Sequence, residues 1–174
     1  MNMKKKNEIA VSSLKSSQKI VEMLYFPLKN ETAFAVYTGD SVSIVKSVEM
    51  FGEKYQPLSP QSDIVRKKVV LFPSSVEEYE NDEILLSEVQ SFIHRFLDIT
   101  EIFEKIAAYY VLFTWIYDKF NEVPYLRAIG DYGSGKTRFL QVIGGICYKP
   151  IFAGGATTVS PIFRVSFGVQ SPRL

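Results

Sequence analysis

Cysteine and histidine are almost missing from this chain. Cys147 is the single cysteine in 174 residues, so no internal disulfide can form. His94 is the single histidine, which leaves too few ligands for a zinc cluster of the Cys/His kind. A large excess of one charge is also lacking. The formal net charge of +1 supplies no global attraction to polyanions or to an acidic membrane surface, although a local basic site is compatible with it. Long apolar runs are absent too. The longest, Ile106 to Tyr117, is broken by Thr114 and closed off by Glu104-Lys105 and Asp118-Lys119. Its twelve residues fall well short of the roughly twenty that span a bilayer, so it is expected to be a buried helix. The lysines near the N-terminus are not followed by an apolar stretch of the secretory kind, since Asn7 to Ser13 mixes polar and apolar residues. These absences point to a cytoplasmic protein with no membrane partner.

What is present suits a folded globular chain. Hydrophobic residues make up 47% and charged residues 22%, and an aromatic share of 14% gives ample bulk for a core. The length allows one domain, or one small and one partial domain. Residues 1–19 scatter Lys4, Lys5, Lys6, Lys15 and Lys19 among Ser and Asn, and read as a flexible basic N-terminus. Such an arm can touch nucleic acid or simply stay solvated. Residues 20–73 read as a small β-rich region. There Ala33–Tyr37 and Val42–Val45 flank the hairpin-turn pair Gly39-Asp40, and Lys68–Phe72 reads as another strand stopped by Pro73. Pro57 and Pro60 mark a loop. Nothing in this region has the spacing of a catalytic or metal site, so partner contact and a purely structural role are equally open.

Residues 82–120 read as a helical segment. Asp82 can cap a first helix with Ile84, Leu85, Val89, Phe92, Ile93, Phe96 and Leu97 at helical spacing, and Thr100 opens a second with Glu101 and Glu104 at its positive end. His94 has no partner at ligand spacing, and Trp115, Tyr109 and Tyr110 read as packing residues rather than a base-stacking platform.

The chemistry concentrates in Gly130, Asp131, Tyr132, Gly133, Ser134, Gly135, Lys136 and Thr137, which fit the phosphate-loop pattern G-x-x-x-x-G-K-[ST] at every fixed position. A polyphosphate is held by backbone N–H groups curling round it, and glycine permits the φ > 0 geometry and close approach that this requires. A helix opening directly after the loop adds exposed N–H groups and a positive dipole end. Lys136 would bring an ammonium to the outer phosphates, and the Thr137 hydroxyl would join a Mg²⁺ shell. The flanks match the expected context. Tyr125–Ile129 reads as a short strand launched by Pro124, and Phe139, Leu140, Val142, Ile143 and Ile146 lie on one helical face. Pro150–Ala153 reads as the next strand, with Gly154-Gly155 and then Thr157 or Thr158 at the start of a capped helix, where they either contact a ligand or only cap. Arg138 and Arg164 are further candidate phosphate ligands.

The run GDYGSGKTRFLQ resembles the Walker A motif of P-loop NTPases, and the longer run YLRAIGDYGSGKTRFLQVIGGICYKPIFAGGATTVSPIFR looks like helicase-type ATPases of phages, plasmids and integrated elements. The resemblance implies an α/β fold, with a partial parallel sheet of the P-loop NTPase kind in residues 121–174 behind the helical segment and the β-rich region. It implies ATP and Mg²⁺ as cofactors, nucleotide binding by Gly130 to Arg138, Thr137 at the metal, DNA as a partner, and a homo-oligomer in a full-length form. One part of the family pattern is lacking: no apolar strand ending in Asp or Asp-Glu follows the loop to hold the metal shell and position water. The expectation is therefore the nucleotide-binding front part of a truncated helicase- or translocase-like motor, not competent for hydrolysis as it stands. The alternative is a non-catalytic nucleotide-binding or structural module. A small-molecule kinase fits less well, because such enzymes usually carry the loop near the N-terminus.

Overall fold

A computed structural model describes residues 8–152 of the chain. They fall into two compact units divided between Val76 and Glu77.

The N-terminal unit is built from two small sheets. Strands β1 (Glu8–Val11), β2 (Ser13–Lys15), β3 (Ile20–Phe26), β4 (Glu31–Tyr37), β5 (Val42–Val45), β6 (Val48–Met50) and β7 (Glu53–Pro57) precede a single helical turn, α1 (Asp63–Arg66). One sheet is an antiparallel meander in the order β2-β3-β4-β5, and the other is mixed, in the order β1-β7-β6, with β1 parallel to β7. The chain changes sheet at Ser12, which is fully buried and whose carbonyl accepts from the Met23 N–H at 3.0 Å. Alternation then decides what is buried. Val21 and Met23 on β3 and Phe34 and Val36 on β4 share a face, and they meet Val11, Met50 and Tyr55 from the mixed sheet and Val65 from α1 in one cluster. The β4–β5 hairpin turns at Gly39-Asp40 with Gly39 at φ +98°, as its turn signal predicts.

The second unit is helical. Helices α2 (Asp82–Phe96), α3 (Glu101–Trp115) and α4 (Lys136–Ile146) carry it, with a short 3₁₀ turn at Tyr117–Lys119. Asn81, rather than Asp82, caps α2: its side chain accepts from the Ile84 N–H at 2.9 Å. Ile93 and Leu97 following α2's course, Ala107, Ala108 and Val111 on α3, and Ile143 on α4 form the core. The apolar run that was expected to be wholly buried is only partly so. Ala107, Ala108 and Val111 are inside, whereas Ile106 and Tyr109 are 48% and 53% exposed. A run of a dozen apolar residues wraps all sides of a helix, and this helix has packing partners on one side.

The expected parallel sheet of the P-loop kind is not what the structure shows. The sheets of the described residues are one antiparallel and one mixed, and both belong to the N-terminal unit. Tyr125–Ile129 is irregular chain and not a strand. It keeps a two-residue alternation, with Leu126 joining the helical core while Tyr125 and Ile129 are 98% and 81% exposed, but no strand among the described residues supplies a ladder. Ile151 makes only an isolated bridge, and so does Val70 in place of the strand expected at Lys68–Phe72. Lys4, Lys5, Lys6, Gly154, Gly155, Thr157, Thr158 and Arg164 lie outside the described residues.

Phe34 is fully buried at the centre of the N-terminal unit, while Leu28 stands clear of it on a turn. Phe34→Ala is expected to destabilise that unit by about 3–5 kcal/mol, and Leu28→Ala to stay within about 0.5 kcal/mol of the parent. Urea unfolding followed by circular dichroism measures both.

Candidate phosphate-binding loop

The loop lies wholly within the helical unit. Chain from Val123 arrives without regular structure, turns at Tyr132-Gly133, and enters α4 at Lys136. Two glycines make this path possible: Gly133 at φ +79° and Gly135, the helix N-cap, at φ +80°. A side chain in that left-handed region would cost about 1–2 kcal/mol at each position. Gly130 is required for a different reason. A Cβ built there would lie 2.6 Å from the Ser134 Oγ and 3.2 Å from its Cβ, so a side chain at this position would displace the Ser134 hydroxyl.

Lys136 closes the loop. Its ammonium donates to the Gly130 carbonyl at 2.7 Å, to the Asp131 carbonyl, and to the Ser134 Oγ at 3.1 Å. Three donors thus meet three oxygens of its own loop. Among the described residues the ammonium forms no ion pair, so its charge is balanced only by dipoles. The Ser134 N–H donates back to the Asp131 carbonyl at 3.2 Å, which sets the turn.

The start of α4 adds backbone donors. The first intrahelical bond into the N-cap runs from the Phe139 N–H to the Gly135 carbonyl at 2.9 Å, and no side chain caps the end. The N–H groups of Lys136, Thr137 and Arg138 therefore precede the helical ladder, beside the positive end of the dipole. Thr137 is exposed on this first turn and Tyr132 is fully exposed at the loop's tip. Arg138 takes another course: its Nε donates at 3.4 Å to the carbonyl of Phe96, the last residue of α2. There it serves a C-terminal carbonyl that the helix itself leaves unpartnered.

Packing at the far end holds α4 in place. The Trp115 Nε1 donates to the Ile146 carbonyl at 3.1 Å, and the Tyr148 N–H to the Thr114 Oγ at 3.0 Å. A Cβ on Gly144 would meet the Phe152 ring at 2.9 Å, so glycine is what lets that ring lie on the helix. Burial raises the pKa of the neighbouring Cys147 thiol above its ordinary value, outweighing a contact with Thr114 that lowers it, and this is a packed thiol rather than a nucleophile. His94 is an exposed ring whose Nδ1 lies 2.7 Å from the buried Glu104 Oε1, tying α2 to α3. Among the described residues no group of three or more His, Cys, Asp or Glu gathers at a metal-binding distance.

All nine residues expected at the site, Gly130 to Arg138, are consecutive and form one loop and helix start, with Arg138 turned toward α2. The signal missed in the sequence was the carbonyl of Phe96, because backbone groups at a helix end carry no mark of their own. A further observation bears on chemistry: no Asp or Glu occurs anywhere in residues 138–174. No helix among the described residues is long and apolar enough to cross a membrane. No family model, curated protein or solved structure matches this chain.

The backbone requirement gives opposite signs for one substitution. Gly135→Ala is expected to destabilise the helical unit by about 1–2 kcal/mol, because alanine must adopt φ near +80°. Gly145→Ala, in the last turn of α4 with nothing within 4 Å of the new methyl, is expected to stabilise it by about 0.5–1 kcal/mol. Thermal denaturation of the two variants beside the parent checks the pair.

Proposed function

We propose that Gly130–Thr137 binds the phosphates of a nucleoside triphosphate with Mg²⁺, and that the chain is the nucleotide-binding portion of a helicase- or translocase-like P-loop ATPase acting on nucleic acid. The observation that carries the reading is the cradle itself. Two glycines at φ near +80°, a third packed close against Ser134, and an ammonium with no carboxylate partner among the described residues all stand at a helix start without a side-chain cap. That donor set fits a polyanion. Phosphate oxygens would compete with the carbonyls of Gly130 and Asp131 for the ammonium, and a full negative charge makes a stronger charge-assisted bond than a carbonyl dipole. Backbone N–H groups of the loop and of the first turn of α4 would hold further oxygens. The Thr137 hydroxyl, exposed on the first turn of α4, would join a Mg²⁺ shell, and the metal would neutralise phosphate charge.

Turnover requires more. A carboxylate must position water against the terminal phosphate. Asp131 is the one acid within the loop, and none follows it in residues 138–174. We therefore read the chain as binding nucleotide without hydrolysing it. A second reading, a non-catalytic nucleotide-binding module unconnected with a motor, is favoured by one observation: the loop is not launched from a strand of a parallel sheet. Both readings place nucleotide at the same residues and separate on whether nucleic acid alters nucleotide affinity.

Titration of a fluorescent ATP analogue is expected to give Mg²⁺-dependent binding. Lys136→Ala should weaken it by roughly 10- to 150-fold, matching about 1.5–3 kcal/mol for a lost charge-assisted contact. Thr137→Ala should act mainly on the Mg²⁺ dependence. Phosphate release by the parent is expected to stay at the Lys136→Ala background. Equal binding by parent and Lys136→Ala, both folded, contradicts the assignment; Lys136-dependent turnover at about 1 s⁻¹ or faster contradicts the non-hydrolysing reading alone.

A further inference from the structure

The meander of the N-terminal unit ends at β5, and hydrogen-bond parity fixes what its outer edge offers. The Thr38 N–H donates to the Ser41 carbonyl at 3.2 Å, in line with the β4–β5 register that pairs Val36 with Ser43 and Phe34 with Val45. Ser41, Ser43 and Val45 therefore turn their backbone groups toward β4. The N–H and C=O groups of Val42 and Ile44 point the other way, and no described strand pairs with them. The side chains alternate in the same rhythm. Val45 packs against the core, while Val42 and Ile44 lie on the opposite face, 43% and 58% exposed. Asp40, in the β4–β5 turn, and Lys46, directly after β5, flank this stretch, both exposed.

We propose that β5 pairs antiparallel with β5 of a second copy of this chain, about a two-fold axis at Ser43. Parity admits three central registers: Val42 opposite itself, Ile44 opposite itself, or Val42 opposite Ile44 of the partner subunit. The first sets Asp40 against an isoleucine, and the second sets Lys46 against a valine. The third sets Val42 against Ile44 of the partner subunit twice, each pair exchanging two backbone hydrogen bonds. It also brings Asp40, in the turn before β5, toward Lys46 of the partner subunit, just past β5, at both ends. A lysine on an open edge ordinarily blocks pairing. Here an acid at the other end of the same strand converts it into a self-complementary contact, which is what a two-fold interface requires. The apolar row continues inward, since Val42 pairs with Tyr37 and Tyr37 with Ile20, both partly exposed. The joined meanders form one eight-stranded antiparallel sheet. This inference is independent of the nucleotide reading.

The register makes a specific cross-linking prediction for the full chain carrying Cys147→Ser. Ser43 lies opposite Ser43 of the partner subunit in a non-hydrogen-bonded pair, where Cα atoms are about 4.5 Å apart, within disulfide range. Val42 and Ile44 each lie on the diagonal from their own copies, at about 7–8 Å or beyond. Under mild oxidation, Ser43→Cys is expected to form a disulfide dimer at least about tenfold faster than Val42→Cys or Ile44→Cys. Lys46→Asp added to Ser43→Cys should slow it about tenfold by opposing like charges twice, and Asp40→Lys combined with Lys46→Asp should restore it. Sedimentation equilibrium of the same charge series without Ser43→Cys should show the same order of dimer affinity. Equal cross-linking at the three positions, indifference to the charge exchange, or a parent chain monomeric up to about 1 mM each overturns the proposal.

Discussion

One ammonium organises the candidate site. Lys136 opens α4 and at the same time reaches back to the carbonyls of Gly130 and Asp131, so the loop is closed by the helix it leads into. That closure is possible only because the backbone turns through two left-handed residues and brings Gly130 against Ser134. A side chain at Gly130 would displace the Ser134 hydroxyl, one of the three oxygens that the ammonium holds. The loop's closure thus draws on the same charge that the proposed phosphate contact would use. Under the proposed function, an occupant must offer that charge better partners than two carbonyls and a hydroxyl, as a polyphosphate would.

The helical unit serves this arrangement by fixing α4 at both ends. Ile143 packs among Ile93, Leu97, Ala107, Ala108 and Val111, which sets the helix against α2 and α3. The Trp115 indole holds its last carbonyl, and Arg138 joins its first turn to the end of α2. The N-terminal unit has its own core, centred on Phe34, Met23 and Val21.

Local chemistry was the legible part of the sequence. The Gly39-Asp40 turn, the helical stretches around Ile93 and Val111, and the glycine turn that opens α4 each carry a signal within a few residues, because turn geometry and helical periodicity are short-range properties. The sheet was not legible. Tyr125–Ile129 alternates as a strand does, yet a strand exists only when another segment presents its donors and acceptors, and no local pattern encodes that neighbour. Burial of α3 was misread for a related reason, since Ile106 and Tyr109 are as apolar as Val111 but face away from the helical core. The pairing of Lys136 with loop carbonyls was foreseen only as a phosphate contact. The sequence named the residue, and the structure shows the partners that it holds.

Amide chemical-shift mapping tests the central claim most directly. Addition of Mg²⁺ and a non-hydrolysable ATP analogue to the isotope-labelled chain should shift the amides of Gly133, Ser134, Gly135, Lys136 and Thr137 most, with saturation at a single affinity and a smaller response at Leu97, beyond the Arg138 contact. Unchanged amides across Gly130–Thr137, or shifts centred on the N-terminal unit, would contradict the account.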